Sequence, residues 1–150
     1  MQGDRITNVL EDLVETLEDG RQGFELASDR LAKDGHDQLA ARMAALSDQR
    51  SNLSVQLREI AIGHGIEIDG GGSAGGSLRR GWMTLTDALT GDDPHAVLTA
   101  AERGEDHAVK EYEKALQSEE LGELEPVIAM QAEVVQATHD EVRALRDQHK

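Results

Sequence analysis

Apolar residues recur at alternating intervals of four and three along most of the chain, which is the pattern of helices that bury one face. In the first run the positions from Ile6 to Leu31 follow this spacing, and three similar runs come after it. Turn or helix-start signals separate the runs, at Asp34-Gly35, Gly63-His64-Gly65, Asp93-Pro94 and Pro126. The pattern therefore predicts four long helices over about residues 5–33, 37–62, 94–117 and 126–148.

The segment between the second and third helices, residues 63–93, is much longer than a turn between antiparallel neighbours requires. A glycine-rich run at Gly70–Gly76 interrupts it. After this run, residues of about 78–89 have the spacing of a short amphipathic helix, and we expect its Trp82 to pack the crossover onto the bundle. A partner-binding role for this ring is the alternative.

Two helical hairpins joined by a long crossover have the connectivity of ferritin-like bundles, although an up-and-down bundle with a decorated loop fits the same pattern. We predict an all-α protein: a ferritin-like antiparallel four-helix bundle with a long crossover carrying a short extra helix. The length of 150 residues favours a single domain over 1–150.

Composition narrows the classes of partner. The formal net charge is −15, and such a surface repels phosphate backbones and anionic lipid, so we expect no nucleic acid and no membrane partner. The absence of cysteine excludes thiolate catalysis and zinc–thiolate sites. No stretch has the pattern of a membrane span or a secretory signal, so we expect a cytoplasmic protein.

A polar residue interrupts the apolar seam near the midpoint of three helices, at Arg50, at Glu105 and at Thr138 with its neighbour His139. The first helix has Gly20 at the matching place. A buried charge is tolerated only with an opposite partner, so we expect Arg50 to pair with Glu105 and His139 to complete the network. The sequence thus predicts a buried polar layer that fixes the register of the helices.

The same layer can be interpreted as a metal site. Ferritin-like di-iron proteins direct Glu residues and Glu-x-x-His pairs inward from four helices. Glu102, one turn before Glu105, borders the layer, but neither the second nor the fourth helix has a Glu-x-x-His pair. Arg50 also supplies the positive charge that iron would bring. These residues favour a structural layer and leave open the weak binding of a divalent ion, iron or manganese.

Motifs spread over nearly the whole chain carry a family resemblance: Asp19-Gly20 with Gly23-Phe24, Gln49-Arg50, Leu78-Arg79-Arg80-Gly81-Trp82, Ala101-Glu102-Arg103-Gly104-Glu105-Asp106 with Tyr112, and His139-Asp140-Glu141-Val142-Arg143. In these the chain resembles a bacterial, mainly proteobacterial, four-helix-bundle domain of unknown function in the ferritin-like superfamily. The resemblance implies the ferritin-like fold and a role in bacterial stress physiology, and it supplies no activity.

The resemblance also implies an internal duplication, in which Leu17-Glu18-Asp19-Gly20 matches Ala101-Glu102-Arg103-Gly104. Glu18 and Glu102 would then be equivalent carboxylates of the first and third helices, although the apolar seam places Glu18 on the outward face. The metal ligands predicted from the sequence are therefore Glu18, Glu102, Glu105 and His139.

We predict a stress-associated ferritin-like protein with no catalytic residue and a polar midplane that binds a metal weakly. An active di-iron oxidase would need more midplane carboxylates than the sequence places there. The alternative is a non-catalytic interaction or self-association module, such as a homo-oligomer, in which an Arg-Glu-His network is structural. The other histidines are expected to be solvated: His36, His64, His95, His107 and His149.

Overall fold

The computed structural model describes residues 2–68 and 81–150, with side chains from Arg5 onward. Its four long helices begin and end within a few residues of the predicted bounds. They are α1 (Gln2–Lys33), α2 (Asp37–Gly63), α4 (Pro94–Leu116) and α5 (Glu125–Gln148). A short helix, α3 (Leu85–Ala88), precedes α4, and a 3₁₀ turn (Gly122–Leu124) leads into α5. The predicted all-α class is confirmed.

Each long helix runs antiparallel to both of its neighbours. Backbones pack closely between α1 and α2, between α1 and α4, and between α4 and α5. Three hydrogen bonds join α2 to α5, and their positions rise along α2 as they fall along α5, which makes these helices antiparallel. The pairs are Arg42 with Glu141, Gln49 with Thr138, and Gln56 with Gln131. The diagonal pairs, α1 with α5 and α2 with α4, are therefore parallel.

Between α2 and α4, the described residues 64–68 and 81–93 lie at successive levels along the bundle, in agreement with the predicted crossover. At one end Ile66 and Ile68 pack on the same apolar cluster as Leu121 and Leu124, just beyond the end of α4. Farther along, Trp82 lies against the middle of α1 and α4. The segment then reaches Pro94, where α4 begins at the opposite end of the bundle. This path makes α2 and α4 parallel.

The extra helix of the crossover is shorter than predicted. Of the expected span of about 78–89, only Leu85–Ala88 is helical within the described residues. Residues 81–84 are not helical, and Gly81 has a φ of +91°, which a right-handed helix does not allow. Residues 78–80 and the glycine run Gly70–Gly76 lie outside the described residues.

The Trp82 ring packs between two helices, at a glycine of each. Its indole ring is almost fully buried, and it lies so close to Gly23 of α1 and Gly104 of α4 that a Cβ at either position would overlap the ring. The ring of Phe24 meets it edge-on, with centroids 4.9 Å apart. The expectation that Trp82 packs the crossover onto the bundle agrees with this contact.

Two apolar clusters form the core, one toward each end of the bundle. One cluster contains Phe24, Met43, Leu46, Trp82, Leu98 and Val142, and the other contains Leu10, Leu17, Leu57, Tyr112, Ile128 and Val135. On each long helix the residue that interrupts the apolar seam falls between the positions of these two clusters: Gly20, Arg50, Glu105, and Thr138 with His139. A polar layer therefore divides the core.

Candidate functional site

Arg50 and Glu105 form the centre of the polar layer. The Nη2 atom of Arg50 donates to Oε2 of Glu105 over 2.5 Å, and both side chains are almost completely inaccessible to solvent. Gly20 of α1 lies against the methylene groups of Arg50, where a Cβ would be in ordinary contact with them. The guanidinium carbon lies 5.6 Å from the centre of the Phe24 ring. The pair joins α2 to α4 across the diagonal of the bundle.

Burial and charge act on Glu105 in opposite directions. Burial raises the pKa of Glu105 above its ordinary value, while the charge of Arg50 and its hydrogen bond lower that pKa, as does nearby His139. The effect of burial is larger. Within the described residues Arg50 Nε and Glu105 Oε1 have no hydrogen-bond partner.

A second buried polar network lies on α4, α2 and α5, one turn or more from the ion pair. The Tyr112 hydroxyl donates to Gln131 Oε1 over 2.7 Å, and Gln131 Nε2 donates to Gln56 Oε1 and to the Leu53 carbonyl oxygen. Burial raises the pKa of Tyr112 well above its ordinary value, so this phenol stays protonated. The network holds the three helices in register and presents no ionised group.

The carboxylates and imidazole that could hold a metal lie between α4 and α5. One ligand atom each from Glu102, Asp106 and His139 lies within 4.8 Å of the others. Glu102 and Asp106 are four residues apart on α4 and so project from the same face. Glu102 and His139 are buried, and Asp106 is about half exposed, so the group reaches solvent through Asp106.

His139 is held by aspartates on both sides of its ring. Its Nε2 lies 2.5 Å from Asp106 Oδ1, and its Nδ1 lies 3.3 Å from Asp140 Oδ1. The hydrogen bond with His139, followed by one from Gln136, lowers the pKa of Asp140 below its ordinary value. Asp140 therefore fixes the orientation of the ring and leaves Nε2 directed at the group on α4.

Two arginines of α5 neutralise Glu102. Arg143 Nε donates to Glu102 Oε1 over 3.3 Å, and Arg146 Nη1 donates to Glu102 Oε2. Asp147 in turn accepts two hydrogen bonds from Arg146. The carboxylate of Glu102 is therefore both a member of the three-residue group and the partner of two cations.

The structure brings together only part of the ligand set predicted from the sequence. Glu102 and His139 meet, whereas Glu105 is directed at Arg50, and Glu18 lies elsewhere. Glu18 accepts hydrogen bonds from Arg21 and, across to α2, from Ser54, each over 2.9 Å. Thr138 contacts Gln49 and its own helix at the Val134 carbonyl.

Asp106 is the member of the group that sequence reasoning missed. It lies one residue after the seam position Glu105 and was not counted with the inward residues. Its spacing of four from Glu102 is the signal that could have found it.

The expectation that the remaining histidines are solvated is only partly right. His64 is exposed, but His36, His95, His107 and His149 are half-buried. The side chain of His107 lies directly under Gly81, where a Cβ on residue 81 would collide with it. His149 contacts the Leu145 carbonyl oxygen over 2.8 Å. These rings pack on the bundle because they lie at helix ends and beneath the crossover.

A family model matches most of the chain. The family described as a domain of unknown function, DUF2383, matches residues 5–118, which is more than half of the chain, and the chain therefore belongs to this family. The match includes α1 to α4 and ends before α5, so Glu102 and Asp106 lie inside it and His139 lies outside. Among curated proteins, no sequence is similar enough to match. Over the described residues, no helix is long and apolar enough to cross a membrane.

Proposed function

We propose that this member of the DUF2383 family is a ferritin-like bundle that binds one divalent metal ion, iron or manganese, through Glu102, Asp106 and His139. One observation carries the proposal: these three side chains present ligand atoms within 4.8 Å of one another at the interface of α4 and α5. The function is metal binding without catalysis. The stress-associated role expected from the resemblance is part of the same proposal.

The donor set fits such an ion chemically. Imidazole and carboxylate ligands suit iron and manganese, whereas soft thiolate ligands are absent from a chain without cysteine. The contact between His139 Nδ1 and Asp140 supports the proposal further, because metal-binding histidines commonly donate their second nitrogen to a carboxylate. Half-exposed Asp106 gives the ion a route from solvent.

A di-iron centre does not fit this bundle. The Arg50 guanidinium occupies the core at the level where inward carboxylates would have to converge, and it engages Glu105. Glu18, the carboxylate of α1, bonds Arg21 and Ser54 instead. We therefore propose no oxidase or ferroxidase reaction, and the residues support one ion outside the ion pair.

Elemental analysis of protein purified without chelator tests the proposal. We expect about one equivalent of iron or manganese in the wild type, either as purified or after incubation with Fe²⁺ or Mn²⁺ without oxygen. Both E102Q and H139A should lose it. E18Q is the matched control, because it removes a carboxylate of α1 that lies outside the group, and it should keep the metal. Absence of metal from the wild type, or equal loss in E18Q, would overturn the proposal.

Self-association through an exposed helix face, the alternative expected from the sequence, stays a prediction. One observation favours it: Val55 and Ile62 are exposed, and their spacing of seven places them on one face of α2. The occupant of this face would be a second copy of the chain. Sedimentation of the wild type beside V55E/I62E tests it, and a wild type that is monomeric at high concentration would exclude it.

A further inference from the structure

Both oxygens of Glu102 already have a cationic partner. Arg143 Nε bonds Oε1 and Arg146 Nη1 bonds Oε2, so whichever oxygen faces Asp106 and His139 also faces a guanidinium. The two arginines differ in exposure, since the Arg143 side chain is 55% accessible and that of Arg146 is 25% accessible. Glu102 itself is only 7% accessible and depends on these two partners for its charge balance.

The charge of Glu102 is compensated before any ion arrives. Its single carboxylate faces two guanidinium groups, those of Arg143 and Arg146, and Arg146 is shared with Asp147. A divalent ion on Glu102 would add two positive charges next to both arginines. Repulsion between like charges at contact distance is large in a partly buried site, so the ion and the arginines cannot both remain close to Glu102 without cost.

We propose that Arg143 and Arg146 are internal counter-ions that compete with the metal for Glu102, so that binding exchanges a guanidinium contact for the ion. This inference rests on the proposed function and concerns the regulation of the same site. Arg146 already donates to a second acceptor, Asp147, and the Arg143 side chain is about half exposed to solvent. Each guanidinium can therefore remain hydrogen-bonded or hydrated after it leaves Glu102. The exchange makes the wild-type site weak and ties its affinity to the last turns of α5.

The arginines could instead help the metal to bind by orienting Glu102, and this role predicts the opposite effect of removing them. Hydrogen bonds from outside the ligand shell can orient a metal-binding carboxylate, and their loss then weakens binding. If Arg143 and Arg146 orient Glu102, removing them lowers the affinity for metal. If they compete with the ion, removing them raises the affinity.

Titration with Mn²⁺ alone, by calorimetry or by the loss of its free-ion EPR signal, separates the two roles. We expect R143Q/R146Q to bind Mn²⁺ about tenfold more tightly than the wild type, or more, because two positive charges leave the site. R143Q, which removes only the more exposed guanidinium, should fall between them and serves if the double variant does not fold. R42Q is the matched control, since it removes one arginine that pairs with Glu141 rather than Glu102, and should bind as the wild type does.

The outcomes distinguish this inference from the proposed function. Tighter binding of Mn²⁺ by R143Q/R146Q than by the wild type supports the competition. Binding in the wild type with equal or weaker binding in R143Q/R146Q overturns it and leaves the metal site standing. An equal gain in R42Q would assign the effect to net charge and also overturn it. If the wild type does not bind Mn²⁺, the proposed function fails and the inference fails with it.

Discussion

At the scale of single residues, the main feature is a charged pair held where water does not reach. Removing either partner of such a pair leaves an uncompensated buried charge, which typically costs about 3–5 kcal/mol. One short hydrogen bond joins Arg50 to Glu105, while Arg50 Nε and Glu105 Oε1 have no partner within the described residues, and burial raises the pKa of Glu105. We therefore expect the pair to contribute more to the register of the helices than to the stability of the bundle.

The pH dependence of stability should show this cost. The pKa of Glu105 lies above its ordinary value of 4.5 in the folded protein, so its protonated form favours folding. That contribution is fully present below about pH 4.5 and is lost as the pH rises through the raised pKa. Urea unfolding of wild type and E105Q across this range should give a difference in free energy, wild type minus E105Q, that falls with rising pH.

E18Q serves as the control for that comparison, because Glu18 lies outside the buried pair. Its difference from the wild type should not follow the same curve. A wild-type minus E105Q difference that stays constant would show that attraction to Arg50 cancels the effect of burial, and one that grows as the pH rises would show that attraction outweighs it; either result would contradict the prediction.

The sequence was sufficient to identify the residues of the polar layer, but it did not show which carboxylates meet His139. Arg50, Glu105 and His139 each interrupt an apolar seam, and a seam can be counted along one chain. Which carboxylate oxygens converge depends on the rotation of α4 against α5, which decides that Asp106 and not Glu105 meets His139. One residue along a helix is about 100° of rotation, so a small error in the seam changes the ligand set.

At the scale of elements, one side chain of the crossover enters a slot between two glycines of α1 and α4. Gly23 and Gly104 leave the indole ring of Trp82 no room for an added methyl group. In the sequence these glycines lie inside strong helical patterns, where glycine is ordinarily unfavourable by about 1 kcal/mol relative to alanine. Their position is explained only by a ring from a distant segment.

Alanine ordinarily stabilises a helix relative to glycine, but at Gly104 we expect it to destabilise the protein. We expect G104A to destabilise the protein by about 3–5 kcal/mol, comparable to deletion of a large core side chain, because Trp82 must leave its site. Trp82 is the only tryptophan, so its fluorescence emission should shift to longer wavelength in the same variant. Chemical denaturation followed by fluorescence measures both effects.

G63A is the matched control, since a Cβ on Gly63 at the end of α2 meets nothing within 4 Å. It should be neutral or slightly stabilising and should leave the emission of Trp82 unchanged. If G104A behaves like G63A, the slot is not what holds the crossover.

The helix bounds were predictable because apolar spacing and the Gly and Pro signals are local. The short helix of the crossover was predicted too long because its conformation is not set locally. The residues around Trp82 have amphipathic spacing, but the Trp82 ring enters the bundle from a non-helical segment in which Gly81 has a positive φ. Tertiary packing, which the spacing cannot report, decides that conformation.

At the scale of the whole molecule, the layer and the crossover follow from one arrangement. The helices α2 and α4 lie diagonally across the bundle and are parallel, and Arg50 and Glu105 meet between them at its middle. Because α2 ends at one end of the bundle and α4 begins at the other, the connection between the two helices must span the length of the bundle. The connectivity was inferred from segment length alone. The choice of metal, the number of copies and the partners do not follow from a fold.

The proposed metal site is tested most directly by a crystal structure of the protein grown with Mn²⁺, with diffraction data collected at the manganese absorption edge. We expect one anomalous peak bounded by Glu102, Asp106 and the Nε2 atom of His139, with at least one of Arg143 and Arg146 displaced from Glu102. A protein that takes up Mn²⁺ but shows its peak elsewhere, at Glu18 or between Arg50 and Glu105, or shows no peak, would contradict it.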